Sequence, residues 1–251
     1  MLRVEANGPV LYVTLERPDA RNALDEELIQ SLYETFSTVT ERTRAIVLSG
    51  AGPSFCAGGD LNYMRRAATY SEEQNFEDAF RLAWLFQAML ECPAVIIAKV
   101  HGAAFGGGCG LVAAADVAIA CNDTQFAFSE VRLGLVPATI SPIVLAKIGA
   151  GHARALFSTG ETFDANRALT IGLIHEMVLF SELATVVDRK LRSVLSAGPK
   201  AVALCKNLAQ KPPMGLEDSA RLLAKVRASE EGKEGVAAFL EKRFPWFMDP
   251  R

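Results

Sequence analysis

Three segments of the sequence bring together residue types that can move a proton beside a stabilised negative charge. The first is the loop Gly50-Ala51-Gly52-Pro53-Ser54-Phe55-Cys56-Ala57-Gly58-Gly59-Asp60-Leu61. Glycines that follow a buried strand let the backbone approach a ligand closely, with N–H groups free to donate. The second is His101-Gly102-Ala103-Ala104-Phe105-Gly106-Gly107-Gly108-Cys109-Gly110-Leu111, whose three consecutive glycines fall where a helix should begin. The first N–H groups of a helix lack intrahelical partners, and that end of the dipole is positive. Two such loops, each after a buried strand, suggest a pair of converging backbone donors, which is what an oxyanion hole requires. The third is Glu130, set between the aromatic run Phe126-Ala127-Phe128 and the apolar turn Leu133-Gly134-Leu135-Val136-Pro137. A partly desolvated carboxyl there has its pKa raised toward acid–base use; the plainer reading is a surface glutamate paired with Arg132.

Other chemistries lose on spacing. Gly106 and Gly108 are followed by Leu111, so neither loop gives G-x-G-x-x-G, and no G-x-x-x-x-G-K-[ST], G-x-S-x-G or H-E-x-x-H occurs. His101, His152 and His175 have no partner at ligand or triad spacing and read as structural, and no metal site is expected. Cys109 reads as a small buried residue and Asp116 as a side chain that pins the next segment. The five cysteines are odd in number and scattered, which fits neither a disulfide framework nor a zinc site and suits a reducing compartment.

These residues need a scaffold, and the periodicities supply one. Leu11–Leu15, Ala45–Leu48, Ala94–Ala98, Val117–Ala120 and Gln125–Phe128 read as strands. Leu28, Leu32, Phe36 and Val39 share a helical face that starts at an Asp25 N-cap. Phe76, Ala79, Phe80, Ala83, Phe86 and Leu90 repeat at helical spacing up to Pro93. Buried strands alternating with helices indicate an α/β architecture with mostly parallel strands. Beyond about Phe180 the strand signals fade into helices broken at Gly198-Pro199 and Pro212-Pro213, so a boundary near residue 190 is expected.

Half of the 251 residues are hydrophobic, enough for a sizeable core in one large domain or one domain plus an appendage. With 26 basic against 29 acidic residues and no basic stripe, a nucleic-acid groove is not expected. The apolar stretch from Ala103 to Ala120 contains glycines and Asp116 and makes a poor membrane span, and the start lacks the layout of a secretion signal. A soluble, cytoplasmic protein is expected.

Phe55-Cys56-Ala57-Gly58-Gly59-Asp60-Leu61 and His101 to Gly108, taken together, resemble the crotonase (enoyl-CoA hydratase/isomerase) superfamily. So do Ser129 to Pro137 and Glu234 to Arg243, while Arg17 to Leu24 is similar to that family's CoA-contacting N-terminal region. The resemblance implies a crotonase-like spiral of β-β-α turns over residues 1–190. It also implies a C-terminal helical trimerisation region over 191–251, in a homotrimer or a dimer of trimers. It assigns the oxyanion-hole amides to Ala57 and Gly107 and the proton-moving carboxylate to Glu130. Arg21, Ala23, Ala57, Gly58, Gly59, Asp60, Gly107 and Gly110 would contact an acyl-CoA thioester, with CoA entering as part of the substrate and no separate cofactor.

Two-glutamate hydratases carry a second glutamate where this sequence has Gly110. The run from Gly107 to Leu111, with Ser129 to Pro137 and Ile140-Ser141-Pro142, is most similar to the branch of methylglutaconyl-CoA and isohexenylglutaconyl-CoA hydratases. Their substrates carry an extra carboxylate, and Gly110 is expected to leave room for that branch and its water. The expected activity is hydration of a branched or carboxylated 2-enoyl-CoA. An enoyl-CoA Δ3,Δ2-isomerase, which needs one carboxylate, is the second reading, and a non-catalytic acyl-CoA-binding or RNA-binding relative the third.

Overall fold

The buried β-branched runs do become strands of one sheet, to which the chain returns after the helices at Glu26–Ser37, Glu72–Glu91, Gly107–Ala114 and Ala165–Thr170. The computed structural model describes residues 1–248. In chain order the elements begin with β1 (Leu2–Asn7), β2 (Val10–Leu15), α1 (Glu26–Ser37), β3 (Ala45–Gly50), α2 (Leu61–Ala67) and α3 (Glu72–Glu91). They continue with β4 (Val95–Val100), β5 (Ala103–Phe105), α4 (Gly107–Ala114), β6 (Val117–Cys121), β7 (Gln125–Ala127) and a 3-10 turn at Glu130–Leu133. Then come α5 (Ser141–Thr159), β8 (Thr162–Asp164), α6 (Ala165–Thr170), β9 (Glu176–Val178) and α7 (Phe180–Leu195). Three more helices follow: α8 (Pro199–Gln210), α9 (Leu216–Ala228) and α10 (Glu230–Leu240).

The main sheet has the order β1-β2-β3-β4-β6-β9 and is parallel except for the β1–β2 hairpin. A second sheet, β5-β7-β8, lies beyond the ends of the long strands, and a bridge between Cys56 and Ala104 attaches the first glycine loop to it. β4 thus passes to the short β5 and then to α4, and β6 to the short β7, the 3-10 turn and α5, which is the expected β-β-α turn.

One core lies between the sheet and α1, α3, α4 and α5, around Phe36, Phe86, Phe126 and Phe128. A second lies on the opposite face, where Leu183, Val187, Leu191 and Leu195 of α7 cover Val47, Ile97 and Ile119. The boundary expected near residue 190 therefore falls inside α7. Residues 249–251 of the expected 191–251 region lie outside the described residues.

Asp25 caps α1, accepting from Leu28 N–H at 2.9 Å. Asp116 pins two elements, accepting from Ile96 N–H and from the Lys206 ammonium, each at 2.8 Å. The apolar face of α3 departs from expectation. Leu85, Phe86, Ala88 and Met89 are its buried residues, while Phe76, Phe80 and Trp84 form an exposed row with ring centroids 5.5 Å apart. Among the described residues no helix is long and apolar enough to cross a membrane.

Candidate active site

The first loop is held by main-chain pairing on both sides. Cys56 N–H donates to Ala103 C=O and Phe105 N–H to Cys56 C=O, each at 3.0 Å, so β5 fixes its start. On the other side Leu24 N–H donates to Gly58 C=O at 2.7 Å and Asp60 N–H to Leu24 C=O at 2.8 Å. In such a ladder alternate residues present their polar groups to opposite sides. Gly58 and Asp60 spend theirs on Leu24, so the Gly59 N–H faces away from that strand, and no described residue accepts it.

This corrects the assignment of Ala57. Its N–H is committed to Arg21 C=O at 3.0 Å and cannot serve as the loop's free donor. The available amide is two residues on, at Gly59. Nothing in the residue types separates Ala57 from Gly59; the difference is one of pairing parity and becomes visible only with Leu24 as neighbour.

Gly107 opens α4, so its N–H has no intrahelical acceptor, and none is found elsewhere among the described residues. The residue before it, Gly106, has φ +48° and ψ −116°, a conformation that favours glycine. A Cβ there would stand 3.2 Å from Glu130 Oε1 and 3.9 Å from the Gly58 Cα, so the two loops and the carboxylate meet at this point.

Glu130 starts the 3-10 turn. It forms no ion pair with Arg132; its Oε2 is buried with no hydrogen-bond partner, and burial raises its pKa above the ordinary glutamate value. Gly59, Gly107 and Glu130 line a single cavity of about 360 Å³ together with Ala57 and Gly58. Its other walls are mostly apolar: Leu24, Ile29, Leu82, Ile140, Met64 and the ring of Tyr63, with Leu61, Leu133, Leu135 and Val136 exposed around it. A wider groove of about 660 Å³ between β1 and α1 brings together no such pair of amides.

The remaining expected contacts divide. Asp60 does not line the cavity. Its carboxylate caps α2, accepting from Asn62 N–H at 2.9 Å and Tyr63 N–H at 3.0 Å, and also pairs with Arg17 at 3.0 Å. These bonds, the Tyr63 N–H foremost, lower its pKa. Arg21 is exposed and contributes its carbonyl to Ala57. Ala23 is buried and gives its carbonyl to the Arg17 guanidinium.

Gly110 is corrected outright. It does not line the cavity, and a Cβ there would lie 2.5 Å from Ile140 Cγ2 and 2.7 Å from Phe86 Cζ. The volume saved by its missing side chain is filled by those two residues, leaving no room for a substrate branch or a water.

Sequence reasoning missed Asn22 and Arg17, which hold the loop in place. Asn22 is fully buried at φ +56°; its amide donates to Ala51 and Ser54 carbonyls and accepts from Arg17 N–H at 2.8 Å. Arg17 bridges Asp25 and Asp60. A polar residue inside an otherwise loop-like stretch was the one available signal.

The structural readings of Cys109, His101 and His175 fit what is seen. Cys109 is buried and donates to Ala104 C=O at 2.9 Å, and burial pushes its pKa up. His101 donates to Gly52 C=O and His175 accepts from Ala118 N–H. Among the described residues no cluster of three or more metal-ligating side chains forms.

Known proteins place this geometry. The family described as enoyl-CoA hydratase/isomerase matches residues 5–250. An enoyl-CoA hydratase from Shewanella pealeana is similar in structure, with a TM-score of 0.92 and 38% identity over 98% of this chain and 95% of that one. Pseudomonas aeruginosa AtuE superposes with a TM-score of 0.94 at 35% identity, covering 99% of both chains. The short-chain-enoyl-CoA hydratase of Clostridium acetobutylicum is 31% identical over 96% of this chain and 94% of its own length. With this fold, this cavity and these relatives, the chain is an enzyme that belongs to the enoyl-CoA hydratase/isomerase family.

Proposed function

We propose that the enzyme adds water across the 2,3 double bond of an acyl-CoA thioester, with Gly59 and Gly107 as the oxyanion-hole amides and Glu130 as the acid–base group. The observation that carries this reading is the shared cavity, in which two uncommitted N–H groups and a buried, unpaired carboxyl oxygen meet. Attack on C3 drives negative charge onto the thioester oxygen. Fixed amides stabilise that charge with little reorganisation, each by about 2.7–4 kcal/mol where such donors have been removed.

The walls favour an apolar, uncharged acyl group. Apolar side chains suit an apolar acyl chain, whereas an added carboxylate would meet no lysine, arginine or histidine on the lining and would share the cavity with Glu130. The glutaconyl-type substrate suggested by the motif likeness is therefore the less favoured of the two. A homotrimer, single or paired, is the proposed assembly, because α8 and α9 bury no residue within one chain.

One observation favours isomerisation as a second reading: Glu130 is the one carboxylate on the described lining, and a single base can remove a proton and return it elsewhere. The test is a mass-spectrometric screen of straight, branched and glutaconyl-type 2-enoyl-CoAs, with 3-enoyl-CoAs, in ¹⁸O- and deuterium-labelled water. Oxygen incorporation by the wild type, lost in Glu130→Gln, is the expected result. Deuterium incorporation without oxygen selects the isomerase, and activity retained in Glu130→Gln overturns both readings.

A further inference from the structure

Water that attacks C3 must be held as well as deprotonated, and one carboxylate supplies one contact. Beside Glu130, three side chains on the cavity lining carry a hydroxyl: Tyr63, Ser129 and Thr139. Tyr63 donates its proton to Asp78, whose other oxygen takes Arg81 at 3.0 Å, so this phenol is tied into the wall. The hydroxyls of Ser129 and Thr139 have no partner among the described residues.

Their placement separates them. Ser129 precedes Glu130 in the same tight turn, which Leu135 N–H closes by donating to Glu130 C=O at 3.0 Å. Thr139 arrives from the far end of that loop. Ile140 beside it is 2% exposed, with its Cγ2 seated in the notch that Gly110 leaves open, which fixes Thr139 at the cavity wall.

We propose that the Thr139 hydroxyl holds the attacking water in place for Glu130. The inference rests on the hydratase reading above. In the step, the water oxygen bonds to C3 as Glu130 takes one of its protons. The π electrons move to the thioester oxygen, facing the Gly59 and Gly107 amides, and Glu130 returns the proton to C2. Thr139 keeps its own proton throughout, so it is a water-positioning residue.

The experiment compares hydration of a 2-enoyl-CoA with deuterium exchange at the α-carbon of a saturated acyl-CoA, which needs the amides and Glu130 but no attacking water. Thr139→Val should lower kcat for hydration roughly tenfold, the size of one neutral hydrogen bond, and leave exchange within about twofold. Thr139→Ser should recover hydration, and Ser129→Ala should keep the wild-type ratio of the two rates. Equal losses in both reactions, no loss in either, or a changed ratio in Ser129→Ala instead of Thr139→Val would overturn the proposal while leaving the hydratase reading intact. A wild-type chain that hydrates no 2-enoyl-CoA sinks both.

Discussion

Glu130 works under a tension that can be measured. Burial raises its pKa, so the folded state holds the proton more tightly than the unfolded chain does. Its favourable contribution to stability is fully present below the unfolded value of 4.5 and is lost as pH rises through the folded value. As a base it must be ionised, so kcat/KM should fall on the acid side at a pH above the usual glutamate range. Glu130→Gln should cost about 10²- to 10⁴-fold in kcat, yet melt no lower than the wild type at pH 8. A melting temperature several degrees lower would mean that the carboxylate is structural. Gly110 gives the opposite case, a residue whose replacement acts on packing. Gly110→Ala must push Ile140 and Phe86 aside, an overpacking that costs about 1–3 kcal/mol by thermal or denaturant melting. Gly110→Glu should fail to fold properly, and a soluble variant with changed substrate preference would contradict that reading.

Helix α2 and the loop before it behave as one unit, because Asp60 serves both. Its lowered pKa makes its contribution present above the unfolded value of 3.8 and lost as pH falls through the still lower folded value. Asp60→Ala removes a helix cap worth about 0.5–2 kcal/mol and leaves Arg17 one partner fewer, with Gly59 immediately upstream. The expected outcome is a fall in kcat/KM accompanied by a lower melting temperature; loss of activity with unchanged stability would instead give Asp60 a direct role at the substrate. Elements of this kind were unevenly legible in the sequence. The Asp25 cap, the long parallel strands and α4 announce themselves by residue type and period. The three-residue strands β5, β8 and β9 do not, since they are defined by their partners. On α3 the periodic set was right at one end only: Phe86 is buried and Leu90 packs against the core, whereas Phe76 and Phe80 are exposed, and period alone cannot say where along a helix the core stops.

At the scale of the whole molecule, residue patterns were enough to expect an α/β architecture and the two glycine loops, and the resemblance to the crotonase superfamily added the β-β-α spiral and the role of Glu130. What neither could supply was hydrogen-bond parity, which moves the loop's free donor from Ala57 to Gly59, or the contents of the notch at Gly110. Both depend on segments far away in sequence, Leu24 in one case and Phe86 with Ile140 in the other. The C-terminal helices make the same point. Their patterns show amphipathic character, but a cleft of about 320 Å³ between α8 and α9, lined by Leu204, Leu208, Leu222 and Leu223, stays open within a single chain.

Cysteine placement gives that cleft a built-in reporter. Cys56, Cys92, Cys109 and Cys121 are buried and their pKa values are raised, whereas Cys205 is exposed and lines the cleft. A native protein titrated with a maleimide should therefore offer one fast thiol per separated subunit. If neighbouring subunits close over the cleft, that thiol should be shielded at high protein concentration and become reactive on dilution. Alkylation that is rapid and independent of concentration would place the subunit contacts elsewhere.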